Sequence, residues 1–308
     1  EFCMKFPKTQ IVTFANQKGG CGKTSSSVSV AAAFAQLGYS VCLVDTDPQC
    51  NATEHLGITQ DKLKRQGLPS LADVYIAKRE AIDIELDFGD RFTANGGNLT
   101  LVPGHTGLSS AEARLSADIQ AKVAEDEHSS LDEDEMRDEH RFRLKKSLDS
   151  LRGHHDLVIL DTPPELGFLM TTGLIAADWY IIPVFPLAFD LKGLEKLSQT
   201  VEKVRKRYNP NLRLAGVLLG NFDKSTKLDG QVHEMLKGMF GEALVFKTVI
   251  TRGVRTREAT FNGQTIFEHA PNDPASGQYL TLVKEMLLKR QSQSPTRLPP
   301  IPDKMPEL

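Results

Sequence analysis

Residues 16–24 form a glycine-rich loop of the kind that binds phosphate groups. The loop reads Asn16-Gln17-Lys18-Gly19-Gly20-Cys21-Gly22-Lys23-Thr24. Glycine permits positive φ and close backbone approach, so successive N–H groups can point at phosphate oxygens. In such a loop the last lysine reaches the β- and γ-phosphates, and the hydroxyl residue after it ligates Mg²⁺. The sequence therefore predicts that Lys23 and Thr24 hold the phosphates and the magnesium ion of a nucleotide.

The loop departs from the ordinary pattern G-x-x-x-x-G-K-[ST] in one informative way. Gln17 stands where that pattern has its first glycine, and Gly19 and Gly20 take over its task. Lys18 is an additional lysine, which makes the loop the variant K-G-G-x-G-K-[ST]. Because Lys23 already serves the phosphates of one nucleotide, Lys18 is free to project outward.

Two predicted strands end in carboxylates that would complete the site. Val41–Asp45 and Leu157–Asp161 are continuous apolar runs with an acidic tip, and Asp47 follows the first run closely. Runs of this kind belong to parallel sheets covered on both faces, whose ligands gather at the carboxyl ends of the strands. Both acidic tips are therefore expected to converge on the phosphates and their Mg²⁺.

The elements that must position these residues follow an alternating pattern. Gln10–Ala15 reads as a strand that ends at the loop, and apolar residues from Val28 to Leu37 recur at helical spacing until Gly38. We expect an α/β fold, a doubly wound and mostly parallel sheet with helices on both faces. With 308 residues and 40% apolar content, residues 1–290 are predicted to form one domain, followed by a Pro/Ser-rich disordered tail over residues 291–308.

Cysteine and histidine usage gives no sign of a metal site in the sequence. The four cysteines show neither a disulfide framework nor metal-ligand spacing. The pair His154–His155 precedes a strand, with no cysteine or carboxylate at ligand spacing, so a turn is predicted there. No apolar run approaches about 18 residues, the length that a membrane-spanning helix needs. Together with the scattered cysteines, this predicts a reduced, cytoplasmic protein.

An acidic segment is predicted as a helical insertion near residues 120–140. Nine of the fifteen residues from Glu125 to Glu139 are acidic. The segment is either a solvated helix or disordered loop, or a docking surface for a basic partner segment. The sequence leaves both interpretations open.

The motifs together resemble the ParA/MinD family of deviant P-loop ATPases, most closely its ParA members. The similarity runs from about residue 9 to residue 290. It includes the K-G-G-x-G-K-T loop, the segment D-T-D-P-Q-C-N-A-T at Asp45–Thr53, D-T-P-P at Asp161–Pro164, and a basic stretch at Thr251–Thr260.

The resemblance implies roles for individual residues. Lys18 would reach the partner's phosphates across an ATP-sandwich homodimer, Asp47 would orient the attacking water, and Asp161 would act on Mg²⁺ through water. Phosphoryl transfer needs such positioning and charge neutralisation more than a covalent group. The implied nucleotide contacts are Lys18, Gly19, Gly20, Cys21, Gly22, Lys23, Thr24, Ser25 and Asn221, and the implied magnesium residues are Thr24, Asp45 and Asp161.

The resemblance also implies non-specific double-stranded DNA as a partner. The expected contacts are Arg252, Arg255 and Arg257 in a basic loop and Lys224 and Lys227 in a second loop. Four cations at the end of a helix, Lys203, Arg205, Lys206 and Arg207, are an alternative patch that we interpret as a solvated face. The short segment before the first strand leaves no room for a helix-turn-helix domain. Prolines after residue 294 exclude a membrane-binding amphipathic helix there, so direct membrane attachment is not expected.

The predicted function is therefore that of a ParA-type positioning ATPase. It would dimerise on ATP, bind nucleoid DNA, and move a plasmid, a chromosome origin or a protein cluster while a ParB-like adaptor stimulates hydrolysis. The alternative is a metabolic ATP-dependent enzyme on the same scaffold, similar to dethiobiotin synthetase. A GTPase switch would need an N/T-K-x-D motif, which Asn221-Phe222-Asp223-Lys224 does not provide.

Overall fold

A seven-stranded sheet forms the centre of the computed structural model, which describes residues 6–110, 113, 117 and 133–292. The strands are β1 (Gln10–Phe14), β2 (Ser40–Asp45), β3 (Leu86–Asp87), β4 (Asn98–Val102), β5 (Leu157–Asp161), β6 (Trp179–Val184) and β7 (Arg213–Leu219). Their order is β3-β4-β2-β5-β1-β6-β7. Neighbouring strands pair in parallel, except that β3 is antiparallel to β4 at one edge.

Helices connect the strands. They are α1 (Lys23–Gln36), α2 (Asn51–His55), α3 (Gln60–Gln66), α4 (Leu71–Ile76), α5 (Glu133–Leu148), α6 (Phe168–Ala176), α7 (Leu191–Arg207), α8 (Lys227–Phe240), α9 (Arg255–Phe261), α10 (Ile266–His269) and α11 (Pro274–Ser292). Short 3₁₀ turns lie at Ala81–Ile84, Gly89–Phe92, Thr106–Ser110, Asp149–Leu151, Pro186–Ala188 and Glu242–Leu244.

Apolar side chains form a core on each face of the sheet. On one face the strands pack with residues of α4, α5, α6, α7 and α8. On the other face they pack with residues of α1, α2, α3, α10 and α11. Strands buried on both sides need apolar residues throughout, which explains the continuous runs in β2 and β5. The predicted doubly wound, mostly parallel α/β fold is confirmed.

Strand register brings the predicted site together. Asp45 at the end of β2 is the register partner of Asp161 at the end of β5, and Phe14 of β1 pairs with Asp161 from the other side. The phosphate-binding loop leaves β1 immediately after this point. The expected convergence of the two acidic tips beside the loop is therefore present in the fold.

Some sequence predictions fall partly outside the described residues. Residues 120–132 of the predicted acidic insertion lie outside the described residues, whereas α5 contains the rest of the insertion from Glu133 onward. The last helix extends to Ser292, two residues beyond the predicted end, and the rest of the predicted tail lies outside the described part. Among the residues that the structure does describe, no helix is long and apolar enough to cross a membrane.

One buried side chain, that of Asn209, forms hydrogen bonds to the carbonyl groups at the end of α6. The Nδ2 group of Asn209 lies 3.1 Å from the carbonyl oxygens of Leu174 and Ile175 and 2.7 Å from that of Ala177. The last carbonyls of a helix lack partners inside the helix. Asn209 therefore supplies the donors that this buried helix end requires.

Replacing Asn209 by alanine is expected to destabilise the fold. Asn209→Ala leaves buried carbonyls without a donor, so the free energy of unfolding should fall by about 1–3 kcal/mol. Urea unfolding followed by circular dichroism measures the change. The exposed Asn211 gives a matched control, since Asn211→Ala should change stability by less than about 0.5 kcal/mol. Equal stability of the two variants would contradict the capping role.

Candidate nucleotide site

The glycine-rich loop has the backbone geometry of an anion site. Gly20 and Gly22 have φ values of 69° and 84°, and α1 begins at Lys23 directly after the loop. A Cβ atom added to Gly19 or Gly20 would meet no described atom within 4 Å. Open space at glycines that lead into a helix N-terminus suits a phosphate group, because the helix dipole and free N–H groups favour an anion there.

The two lysines of the loop have different surroundings. Lys23 is 7% exposed, and its Nζ donates to the carbonyl oxygen of Lys18 at 3.1 Å. The side chain of Lys18 is exposed, while its backbone N–H donates to Oδ1 of Asn16 at 3.1 Å. The loop thus holds one ammonium group inside the site and presents the other at the surface.

Thr24 and Asp161 form the part of the site that suits a magnesium ion. The Thr24 hydroxyl donates to Oδ2 of Asp161 at 2.8 Å. The other carboxylate oxygen, Oδ1, is buried and has no hydrogen-bond partner among the described residues. Burial, and next the charge of Asp45, raise the pKa of Asp161 to about 8. A hard divalent cation with oxygen ligands fits this orphaned oxygen and the adjacent hydroxyl. When bound, it would supply positive charge to the phosphates.

Both carboxylate oxygens of Asp45 accept hydrogen bonds from the protein itself. Its Oδ1 accepts the backbone N–H of Asp47 at 3.1 Å, and its Oδ2 accepts the N–H and the hydroxyl of Thr53 at 2.8 and 2.7 Å. Burial raises the pKa of Asp45 to about 6, although these hydrogen bonds favour its charged form. These hydrogen bonds fix the chain between Asp45 and Thr53, and the magnesium role of Asp45, partly through water, stays a prediction.

Asp47 lies at the wall of a cavity lined mainly by the segments that follow β2 and β5. The residue is 4% exposed, and its Oδ1 accepts the backbone N–H of Gln49 at 2.9 Å. Burial raises its pKa, while the charge of Lys23 lowers it. The cavity has a volume of about 290 Å³ and is also bordered by Pro163 and Glu165. Asp47 therefore keeps one oxygen for its own turn and has open space next to it.

Two residues that support the loop were missed by the sequence reasoning. The Asn16 side chain donates to the carbonyl oxygen of Pro183 at 2.7 Å, which ties the loop to the end of β6. The Phe185 ring lies so close to Gly22 and Gly220 that a Cβ atom at either glycine would clash with it. Asn16 begins the loop but precedes its K-G-G-x-G-K-[ST] pattern, and Phe185 belongs to no motif, so only the fold reveals these contacts.

The remaining predicted nucleotide contacts lie around the loop. Cys21 is buried within it, and Ser25 is half-buried in the first turn of α1. Asn221 follows β7 with a φ of 50°, next to the Gly220 that contacts Phe185. These residues sit at the carboxyl ends of the strands, where a nucleotide would bind.

Part of each segment predicted as a basic loop is helical. Arg255 and Arg257 lie in the first turns of α9, and Lys227 is the first residue of α8. The helix forms because the N–H of Glu258 donates to the Val254 carbonyl and its carboxylate lies 2.8 Å from Arg255. An ion pair three residues apart supports a helical turn.

Backbone hydrogen bonds join the two basic segments. The N–H of Phe222 donates to the carbonyl oxygen of Ile250 at 3.0 Å, and the N–H of Arg252 donates to the carbonyl oxygen of Phe222 at 2.9 Å. Five exposed cations are carried by the two joined segments, and we call them the basic surface: Lys224, Lys227, Arg252, Arg255 and Arg257.

Comparisons with known proteins agree with this geometry. The family model of the AAA domain (AAA_31) matches residues 9–214. The sporulation initiation inhibitor protein Soj of Bacillus subtilis is 35% identical over 90% of this chain and 98% of its own length. The chromosome-partitioning ATPase Soj of Thermus thermophilus is 34% identical over 92% of this chain and 98% of its own length.

A solved structure shows the same fold around a nucleotide. Cobyrinic acid a,c-diamide synthase from Mycobacterium smegmatis, with bound ADP and magnesium, superposes with a TM-score of 0.71 at 26% identity. The match covers 94% of this chain and 98% of that one. From the loop, the paired acidic strand tips and these full-length similarities, we conclude that the chain belongs to the ParA/MinD family of P-loop ATPases.

Proposed function

We propose that the chain is a ParA-type positioning ATPase whose ATP-bound dimer binds DNA. The observation that carries the proposal is the difference between the two loop lysines, since Lys23 is held inside the site and Lys18 is exposed at its rim. An exposed lysine beside the phosphates is available to a second nucleotide. In a closed interface such a contact acts at low dielectric, where it is worth more than on a surface.

Hydrolysis in this proposal uses Asp47 together with the phosphate-binding loop and Asp161. Asp47 orients the attacking water, Lys23 and the loop N–H groups hold the phosphates, and Thr24 with Asp161 holds Mg²⁺. The open space beside Asp47 supports this assignment because a water molecule there has a buried carboxylate oxygen to bind. Phosphoryl transfer by positioning of this kind is slow until a partner completes the site.

DNA binding in this proposal uses the basic surface. The chain has a net charge of −3, so affinity has to come from a local patch rather than from the whole molecule. Two patches joined in a dimer gain from effective concentration, which makes binding depend on ATP. The cargo, and a ParB-like adaptor that stimulates hydrolysis, complete the proposed cycle at the nucleoid in the cytoplasm.

A metabolic ATP-dependent enzyme is the second candidate. The cavity of about 290 Å³ next to Asp47 is large enough for part of a small substrate, and the similar cobyrinic acid a,c-diamide synthase is an enzyme of that class. The two proposals differ in an observable way. A metabolic enzyme would couple ATP turnover to a small molecule without needing DNA.

Removing the carboxylate of Asp47 should block hydrolysis and leave binding in place. Asp47→Ala should bind ATP with Mg²⁺ as the wild type does, yet lose about 10²-fold of its hydrolysis rate, in line with the loss of a water-positioning base. Phosphate release with duplex DNA present measures the rate. Glu165→Gln, an exposed residue at the same cavity, is the control and should stay near the wild-type rate. A fully active Asp47→Ala protein would sink the assignment.

The two lysines should fail in different ways. Lys18→Ala should keep the nucleotide affinity of the monomer but not dimerise with ATP, whereas Lys23→Ala should lose nucleotide binding itself. Light scattering with ATP, ADP and a slowly hydrolysed ATP analogue, together with a nucleotide titration, separates these outcomes. If Lys18→Ala still forms an ATP-dependent dimer, Lys18 does not act across the interface.

One arginine of the basic surface should affect DNA binding without changing sequence preference. Arg255→Ala should weaken binding to all duplex sequences alike and lower the slope of log K against log salt by about one for a lost phosphate contact. Fluorescence anisotropy at several salt concentrations measures the slope. Lys203→Ala, which removes a cation of the alternative patch on α7, should leave the slope unchanged. The reverse pattern would move the DNA site to α7.

A further inference from the structure

Three polar side chains form a cluster beside β2, away from the nucleotide site. Cys42 of β2, Glu85 before β3 and His155 before β5 place their Sγ, carboxylate oxygen and ring nitrogen within 4.8 Å of one another. Cys42 is 0% exposed and His155 is 8% exposed. Cys42 is three residues from Asp45, which corresponds to about 10 Å along a strand. The nucleotide site does not use these side chains.

The histidine of this cluster contacts a polar partner at each ring nitrogen. Nδ1 lies 2.9 Å from the hydroxyl oxygen of Ser40. Nε2 is buried and lies 2.8 Å from a carboxylate oxygen of Glu85. The imidazole and the carboxylate therefore face each other inside the cluster, and a metal ion bound there would take the place of their direct contact.

A hydroxyl group outside the cluster orients the carboxylate of Glu85. The hydroxyl of Thr100, on the neighbouring strand β4, donates to Oε1 of Glu85. Ser40 and Thr100 therefore hold the imidazole and the carboxylate from outside the cluster. Outer partners of this kind are typical of the residues that ligate metals, because they fix the ring tautomer and the carboxylate direction.

We propose that Cys42, Glu85 and His155 bind a divalent transition metal of the zinc class. Thiolate, imidazole and carboxylate are the three ligand types that Zn²⁺ takes in proteins. A tetrahedral ion with bonds of about 2.0–2.3 Å has donor atoms about 3.3–3.8 Å apart. The Nε2 of His155 and the Glu85 oxygen, which lie 2.8 Å apart, would therefore separate slightly on binding, and all three ligand atoms start within 4.8 Å of one another. On binding, the thiol proton leaves to solvent and the sulfur bonds the metal.

The surroundings also provide an entry path and a structural purpose. The Glu85 side chain is 12% exposed, so solvent reaches one side of the cluster and can supply a fourth ligand. The three residues come from distant parts of the sequence and meet at β2, the approach to β5 and the β3 edge. A bound metal would cross-link these segments and stabilise the fold, independently of ATP.

Cobalt titration of the full chain tests the site. The protein is prepared free of metal and nucleotide under reducing conditions, and Co²⁺ is added. We expect one Co²⁺ per chain with the charge-transfer absorption of a cobalt–thiolate bond, which Zn²⁺ then removes by displacement. Zn²⁺ at about a hundred times its Kd should raise the melting temperature by about 5 °C.

Matched variants separate this site from other metal-binding groups. Cys42→Ser should abolish the charge-transfer band, and His155→Gln and Glu85→Gln should each weaken Co²⁺ binding by at least about tenfold. Cys50→Ser, at another buried cysteine, and His154→Gln, at the exposed neighbour, should keep the band. Absence of the band in the wild type overturns the proposal, as does its survival in Cys42→Ser. If Cys42→Ser does not fold, an unchanged Co²⁺ affinity in Glu85→Gln overturns the proposal instead.

Discussion

Burial of negative charge at the ends of β2 and β5 is the constraint on which the site depends. Asp45 and Asp161 are register partners and are fully buried. Two carboxylates so placed repel each other and lose hydration, so each needs compensation. Asp45 obtains it from the hydrogen bonds of Thr53 and Asp47, whereas Asp161 obtains only part of it from Thr24. The negative charge of Asp161 that Thr24 leaves uncompensated makes the site suitable for Mg²⁺.

The same constraint explains how the backbone around the nucleotide is fixed. Because Asp45 bonds to residues on either side of the turn at residues 47–50, the position of Asp47 follows from the position of β2. Asn16 and Phe185 attach the loop to the ends of the adjacent strands in a similar way. The site is therefore set by the sheet, and the exposed side chain of Lys18 is the part that remains available to another molecule.

Much of this arrangement could be predicted from the sequence because its signals are local. The loop, the acidic strand tips and the continuous apolar strands each lie within a few consecutive residues, and parallel pairing then fixes where they meet. Contacts between distant segments could not be predicted. The Phe185 ring against Gly22, the helical start at Arg255 and the meeting of Cys42 with Glu85 and His155 depend on strand order and connection paths. Asp45 shows a further limit, since the sequence does not reveal that both of its carboxylate oxygens accept hydrogen bonds from the chain that follows.

Calorimetric titration of ATP, with and without Mg²⁺, tests most directly whether the buried charge of Asp161 is compensated by the metal. In the wild type, Mg²⁺ should raise the affinity for ATP by about tenfold or more, equivalent to about 1.4 kcal/mol. In Asp161→Asn the affinity without Mg²⁺ should be kept, because the raised pKa of Asp161 leaves its carboxyl largely protonated when no metal is bound and the neutral amide resembles that form. The gain from Mg²⁺ should disappear, because the amide cannot supply the negative charge that the cation needs. An equal gain from Mg²⁺ in both proteins would contradict this account of the site.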